Sequence, residues 1–509
     1  MAYHRVVIRT LAWRVALAIA LMVIYIALAI GTVVLLVALG SLLFSALGSV
    51  RGNGILVMLV LALACFAAAG VIVWSMFPRI DKFEPPGPEV IAAEQPVLFA
   101  EIAKISELTG EQMPKHVYLM FDMNAFVAQR GGIMGFGSRR VMGLCLPLMR
   151  VLGVSELRAV LAHEMGHFFG GDTRLGPFIY KTRGALGRTI VNLARAAKGA
   201  AELHQAAHLL FVVILAPFRW FGTAFMRITQ AISRVQELSA DRVAARCAGV
   251  APLVEGLKKT HGGALAHQMY LRNELLPIVE DGRLPPVGEG FSRFMRTELV
   301  MKILDGVVAG ELAEDKDDPY DSHPPLRERI AALEGFDGAV HDLDARPSID
   351  LVANAEAIER KLITDKLERA VTPISWDEVN ALWIARWRKT AEQVARNAGT
   401  LTIGAIPREP RALRSICEDI EGPQTAAQIP DESLRGWAQA VFGTTIGIVL
   451  LDNGFTVSSD VGAPVVATRG EITFEPLVET GKYLRGEMSV EAWRERWTQL
   501  GLVDYRFAR

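Results

Sequence analysis

Val160-Leu-Ala-His-Glu-Met-Gly-His-Phe-Phe-Gly-Gly-Asp172 decides how this chain is read. It contains His163-Glu164-Met165-Gly166-His167, an HExxH pattern. On a helix, residues four apart share a face, so His163 and His167 can present two imidazoles to one metal ion. Glu164 lies beside them without being a ligand, where a carboxylate can take a proton from a water at the metal. The helix is expected on separate grounds. Leu157, Val160, Leu161, Met165 and Phe168 recur every three to four positions, with Ser155 as the N-cap. The plainer alternative is a pair of satisfied core histidines.

Two histidines do not complete a catalytic zinc site, which takes three protein ligands and an open position. The metzincin pattern puts its third histidine six residues after the second. Thr173 stands there, although Gly170 matches that pattern's glycine. Downstream, Ser233-Arg-Val-Gln-Glu-Leu-Ser-Ala-Asp-Arg242 sets Glu237 and Asp241 one helical turn apart, facing one site. Glu237 is the candidate third ligand. Asp241 is the candidate acceptor that orients a metal-bound histidine through its other ring N–H. Asp172 competes for the third position, though an acid at a helix exit can equally bond nearby backbone in a turn.

AHEMGHFFGGD, a distant ELSAD, and Ser322-His323-Pro324-Pro325 followed by Arg329 together resemble the membrane zinc metallopeptidase family typified by HtpX and the type I CAAX prenyl proteases. The resemblance spans roughly residues 86–335. It implies one Zn2+ per chain, with the glutamate of ExxxD, here Glu237, as third ligand. It also implies that His323 and Arg329 lie near the active site. His323 is then a candidate oxyanion stabiliser, and Arg329 its support or a contact to the substrate backbone. The plainer readings are a turn residue before two prolines and an exposed helix charge. Asn124-Ala125-Phe126 is similar to a segment that precedes the catalytic helix in this family and is the candidate substrate-binding segment.

The ends of the chain are read from composition. The 509 residues have a net charge of −1, which leaves no electrostatic footprint for nucleic acid. Mean hydropathy of +0.28 points to a membrane. Residues 15–50 and 52–78 lack charged side chains, and each run exceeds the roughly 20 apolar residues that cross a bilayer. Two transmembrane helices are expected, at about 15–47 and 54–77, within an anchor at 1–83. A cleaved signal peptide would have a shorter apolar region. Arg5, Arg9 and Arg14 precede the first run, only Arg51 separates the two, and Arg79 and Lys82 follow. The positive-inside rule puts the following domain on the cytoplasmic side of a bacterial-type inner or plasma membrane. Cys65, Cys145, Cys247 and Cys417 are scattered, the usage of a reducing compartment.

The peptidase domain is expected at 84–345. Within it, His116–Val127 reads as a strand and its turn, either a core strand or a sheet edge that receives substrate as an added strand. Gly131–Gly137 reads as a turn or flap without the GK[ST] ending of a phosphate loop. Leu209–Met226 is apolar but broken by Pro217 and Arg219, so 205–229 is read as membrane-associated, with a buried core helix as the alternative. His204 and His208 have no acid between them and read as a helix face. Glu311–Asp318 reads as a solvated acidic loop.

From 346 to 509 the chain reads as an accessory domain without metal, nucleotide or nucleophile pattern. Ser348–Ala370, Trp376–Ala398 and Val490–Leu500 read as helices, the last capped by Ser489. Ile446–Leu451, Phe455–Ser458 and Val465–Thr468 read as strands. The expected fold is mainly α, with N-terminal transmembrane helices, a gluzincin-like α+β zinc metallopeptidase domain and a small C-terminal α+β appendage. The expected function is zinc-dependent endopeptidase action on protein or peptide substrates, membrane proteins foremost, at the lipid bilayer. CAAX-type processing and a non-catalytic zinc-containing scaffold are the alternatives. The oligomeric state is not legible.

Overall fold

The computed structural model describes residues 2–77, 82–132, 137–168, 176–313, 323–338 and 343–508. Asp172, Thr173, Ser322, Arg79 and parts of Gly131–Gly137 and Glu311–Asp318 lie outside them. The architecture is mainly α. The chain forms two compact units, Met1–Gly263 with Val307–Ala355, and Ala264–Gly306 with Glu356–Arg509.

In the first unit, α1 (Ala2–Ser45) and α2 (Asn53–Met76) are long and apolar enough to cross a membrane over Ile19–Ser49 and Gly54–Met76. They approach closely at Gly40, where an added Cβ would stand 3.1 Å from Cys65 Cβ and 3.3 Å from the Ala62 carbonyl oxygen. Small residues at such crossings let helix backbones pack in lipid. Their outer faces leave Ile24, Val34 and Leu35 of α1 and Leu56 and Leu63 of α2 exposed.

Two further helices, here α6 (Gly176–Leu203) and α7 (Gln205–Ala248), form a hairpin against this pair. The Tyr25 and Thr189 hydroxyls bond at 3.0 Å, and Asn192 Nδ2 donates to Ser75 Oγ at 3.0 Å. α7 is also long and apolar enough to cross a membrane, and Pro217 lies inside it without ending it. The 205–229 segment is its first half. His204 caps α7 by accepting from the Ala206 N–H at 3.1 Å, and His208 Nδ1 lies 2.8 Å from the Ala197 carbonyl. This histidine pair closes the hairpin.

The rest of the unit holds α3 (Pro96–Thr109), α4 (Leu146–Val151), α5 (Val154–Gly166) and a four-stranded sheet. The strands are β1 (Glu89–Val90), β2 (His116–Met120), β3 (Ala125–Arg130) and β4 (Arg139–Cys145), in the order β1-β2-β4-β3. β2 and β4 are parallel, and β3 is an antiparallel edge strand on β4. α5 is capped two residues earlier than its composition indicates. Gly153, not Ser155, is its N-cap, and the Gly153 N–H donates to Glu156 Oε2 at 2.8 Å. Ser155 is already helical, and its Oγ accepts from the Asp344 N–H at 2.7 Å.

In the second unit, strand Arg283–Leu284 pairs with Thr372–Pro373, and Trp376 Nε1 donates to the Pro286 carbonyl at 2.8 Å. Helices Trp376–Asn397, Leu434–Asp452 and Val490–Gln499 surround a core that includes Trp493, Trp497, Phe442 and Phe474. Ser489 caps the last of them, accepting from the Ala492 N–H at 3.1 Å. Strands Thr456–Ser458, Val466–Arg469 and Ile472–Phe474 form a small antiparallel sheet. Ile446–Leu451 is helix, not strand: it is the end of Leu434–Asp452, buried on nearly all sides. A fully buried apolar run has no periodicity that separates the two states. Likewise Ser348–Ala370 divides into a short turn at Ser348–Leu351 and a helix at Ala355–Thr364. All four cysteines are free and buried.

Candidate metal centre

The HExxH stretch lies on the last turns of α5, with His167 at its C-cap still in helical conformation. Ridge packing brings α7 across it. The crossing is possible because residue 166 is glycine: a Cβ there would stand 3.1 Å from Ala240 Cα, 3.2 Å from Val243 Cβ and 3.3 Å from the Ala240 carbonyl oxygen. That close approach delivers Glu237 and Asp241 from α7 to the two histidines of α5.

His163, His167 and Glu237 each offer one ligand atom, and these atoms lie within 4.8 Å of one another. His163 Nε2 stands 3.3 Å from Glu237 Oε2, and His167 Nε2 stands 3.6 Å from Glu237 Oε1. Glu237 is buried, and its Oε2 has no hydrogen bond of acceptable geometry. Leaving a buried carboxylate oxygen unsatisfied is costly, and a cation among these three groups removes that cost. On the far side of His163, Nδ1 meets Asp241 Oδ1 at 2.9 Å. Asp241 can only accept there, so Nδ1 carries the hydrogen and Nε2 faces Glu237.

The electrostatics agree with a cation site. Burial opposes a charged His163, but the Asp241 and Glu237 carboxylates beside it outweigh burial and lift its pKa to about 9. The proton those acids draw to Nε2 occupies the place a metal ion would take. Burial and the charge of His163 push His167 down to about 4, which keeps its imidazole neutral and able to coordinate. Burial opposes ionisation of Glu237, yet His163 and His323 hold its carboxyl well below the usual carboxylate range. Among the described residues, Arg329 is the permanent cation acting on Glu164, Glu237 and Asp241. The donor set of two imidazoles and a carboxylate suits Zn2+ and leaves a position open.

Glu164 is half-buried on α5 beside the edge strand. Desolvation and the Glu237 carboxylate raise its pKa to about 6, against the pull of His163 and a hydrogen bond from the Val127 backbone N–H. A carboxyl group so poised exchanges protons near neutrality.

His323 is exposed, and its Nδ1 stands 3.3 Å from Glu237 Oε2, at the mouth of the site. Arg329 differs: it is buried in the helix Leu326–Ala331 and its guanidinium fork lies on Asp241. It reaches the acid beside His163, and its Nη2 stands 3.9 Å from Glu237 Oε2. Asn124 lies in the turn before β3, Ala125 pairs with Leu144, and Phe126 pairs with Gly143. A Cβ on Gly143 would come within 2.8 Å of Phe126 Cζ, so glycine makes room for that ring. Val127, which bonds Glu164 through its backbone, escaped sequence reasoning, because a backbone donor leaves no mark in residue type. Arg140 also escaped it. Its guanidinium lies 4.2 Å from the Phe168 ring centroid, where the chain leaves α5.

The model of peptidase family M48 matches residues 92–337. The chain is similar to a protease HtpX homolog of Polynucleobacter necessarius subsp. necessarius (strain STIR1), 28% identical over 47% of this chain and 72% of the relative. It is 27% identical to one from Methylibium petroleiphilum over 59% of this chain and 95% of the relative. With protease HtpX of Erwinia tasmaniensis the identity is 24%, over 57% of this chain and 91% of the relative. No solved structure matches.

Proposed function

We propose that this HtpX-like membrane metalloprotease is a zinc endopeptidase of the EC 3.4.24 type, with His163, His167 and Glu237 as its metal ligands. The observation that carries the assignment is the convergence of those three ligand atoms within 4.8 Å, with Glu164 on the same helix. Zn2+ bound there supplies a Lewis acid that acidifies water and polarises a carbonyl.

The chain's own residues do the rest. Glu164 accepts a proton from the attacking water and passes it to the leaving amine. Asp241, gripped by Arg329, keeps His163 in the tautomer that turns Nε2 to the metal. His323 donates toward the oxyanion as the carbonyl becomes tetrahedral. The edge strand β3, beginning at Asn124-Ala125-Phe126, receives the substrate as an added strand, so recognition runs main chain to main chain. The charge distribution around α1 and α2 supports a peptidase domain on the cytoplasmic side, where membrane proteins that fail quality control would be cleaved. The anchor at 1–83 and an accessory domain after the peptidase complete this reading.

Zinc content and casein hydrolysis, measured side by side in detergent, test it. Wild type alone should hydrolyse casein. Glu164→Gln should keep zinc, and Glu237→Ala should lose it. Zinc retained in Glu237→Ala would move the third ligand to Asp172 or Asp241, and hydrolysis by Glu164→Gln would overturn the role of the glutamate.

A further inference from the structure

The outer faces of the four-helix bundle do not match. α1 and α2 turn aliphatic side chains outward, and α7 exposes Leu209, Val213 and Trp220. α6 exposes Val191, Arg195, Lys198 and Glu202, one face at helical spacing. α6 is not itself apolar enough to cross a membrane, so the depth of these charges follows from the spanning helices it packs against. Asn192 of α6 bonds Ser75, one residue from the end of α2. From there α6 continues alongside the bundle, still joined to α7 where His208 meets the Ala197 carbonyl. At about 1.5 Å per residue, Arg195, Lys198 and Glu202 lie roughly 4, 9 and 15 Å beyond Asn192. That carries them toward the middle of a hydrocarbon core about 30 Å thick. Arg195, Lys198 and Glu202 have no partner among the described residues.

A charge at that depth is expensive against lipid and marks a functional face. On that face Arg195 and Lys198 stand against Glu202, two positive charges to one negative, so the complementary occupant is acidic. We propose that this face of α6 docks transmembrane segments bearing an unpaired carboxylic acid within the bilayer. Such a group is what an unassembled membrane protein exposes when its partner helix is missing. The inference deepens the membrane-protease reading above and rests on it for the fate of the docked chain, but docking itself requires no cleavage.

The test uses the full-length Glu164→Gln chain in phosphatidylcholine vesicles, with Val191→Cys on the exposed face. The native cysteines are buried. The probes are Leu/Ala transmembrane peptides of about 21 residues with central Asp, Leu or Lys, each with one cysteine for bismaleimide cross-linking. The Asp peptide should link about tenfold more than the Leu or Lys peptides. Arg195→Leu with Lys198→Leu should bring it to the level of the Leu peptide, and Arg195→Glu with Lys198→Glu should transfer the preference to the Lys peptide. Equal linking of all three peptides would overturn the proposal. So would linking between two copies of the chain that excludes the peptides, or labelling of Val191→Cys by a water-soluble maleimide with no peptide linked. Because the readout is cross-linking by a form lacking Glu164, failure of the protease reading would leave the result standing, and the reverse.

Discussion

Arg329 grips Asp241 through two hydrogen bonds, Nε to Oδ2 at 2.8 Å and Nη2 to Oδ1 at 2.6 Å, with both side chains buried. Asp241 passes that constraint to His163 Nδ1 at 2.9 Å. Arginine therefore fixes the acid, and the acid fixes the imidazole. Asp241→Asn should lower zinc affinity about 10- to 100-fold while leaving the helical content intact. Chelator competition measures the loss. An affinity equal to wild type would mean that packing alone orients His163.

Gly166 sets how near α7 can come to α5. A larger side chain must push against Ala240 and Val243, one and two turns beyond Glu237. Gly166→Val is expected to separate Glu237 from the two histidines, so zinc content should fall below half while circular dichroism stays helical. Full zinc occupancy in that variant would show that the helices can part without opening the site.

The ion pair between Glu101 on α3 and Arg158 on α5 ties the metal-bearing helix to its neighbour at 2.7 and 2.9 Å. The hydrogen bond from Arg158 outweighs burial and lowers the Glu101 pKa below its ordinary 4.5. A carboxyl group depressed in the folded state stabilises the fold above its unfolded pKa, and that contribution disappears as pH falls through the folded value. Glu101→Gln should therefore cost on the order of 2 kcal/mol at neutral pH. The gap from wild type should close in acid. Urea titrations across pH measure it, and a gap constant down to pH well under the carboxylate range would remove the ion pair as its source.

The metal site was legible because its spacings are local. HExxH and ExxxD each place their side chains by a single helical turn, and two such turns suffice for the donor set. What joins them is not local. Gly166 reads as an ordinary glycine until α7 is seen against it, and Arg329, read as a support for His323 or a backbone contact, grips Asp241. The edge position of β3 depends on pairing with β4, and no residue in Ala125–Arg130 announces it. The histidines at 204 and 208 read as a polar helix face, yet they close a hairpin. The composition change near 346 is visible in the sequence. The pairing of Arg283–Leu284 with Thr372–Pro373 spans nearly ninety residues and leaves no pattern behind.

His323 stands 3.3 Å from Glu237 Oε2, with 60% of its side chain exposed. One side of the imidazole therefore meets the ligand set while the other remains open to an arriving carbonyl. A donor that acts only as charge develops on oxygen changes kcat more than KM. His323→Ala should lower kcat about a hundredfold, with KM within about twofold of wild type and zinc retained. His323→Gln, which keeps an N–H donor, should recover part of the rate. Steady-state kinetics on a quenched peptide, together with zinc analysis of each variant, separates the two roles this geometry permits. A loss of zinc in step with the loss of rate would make His323 a support for Glu237 and leave the oxyanion without it.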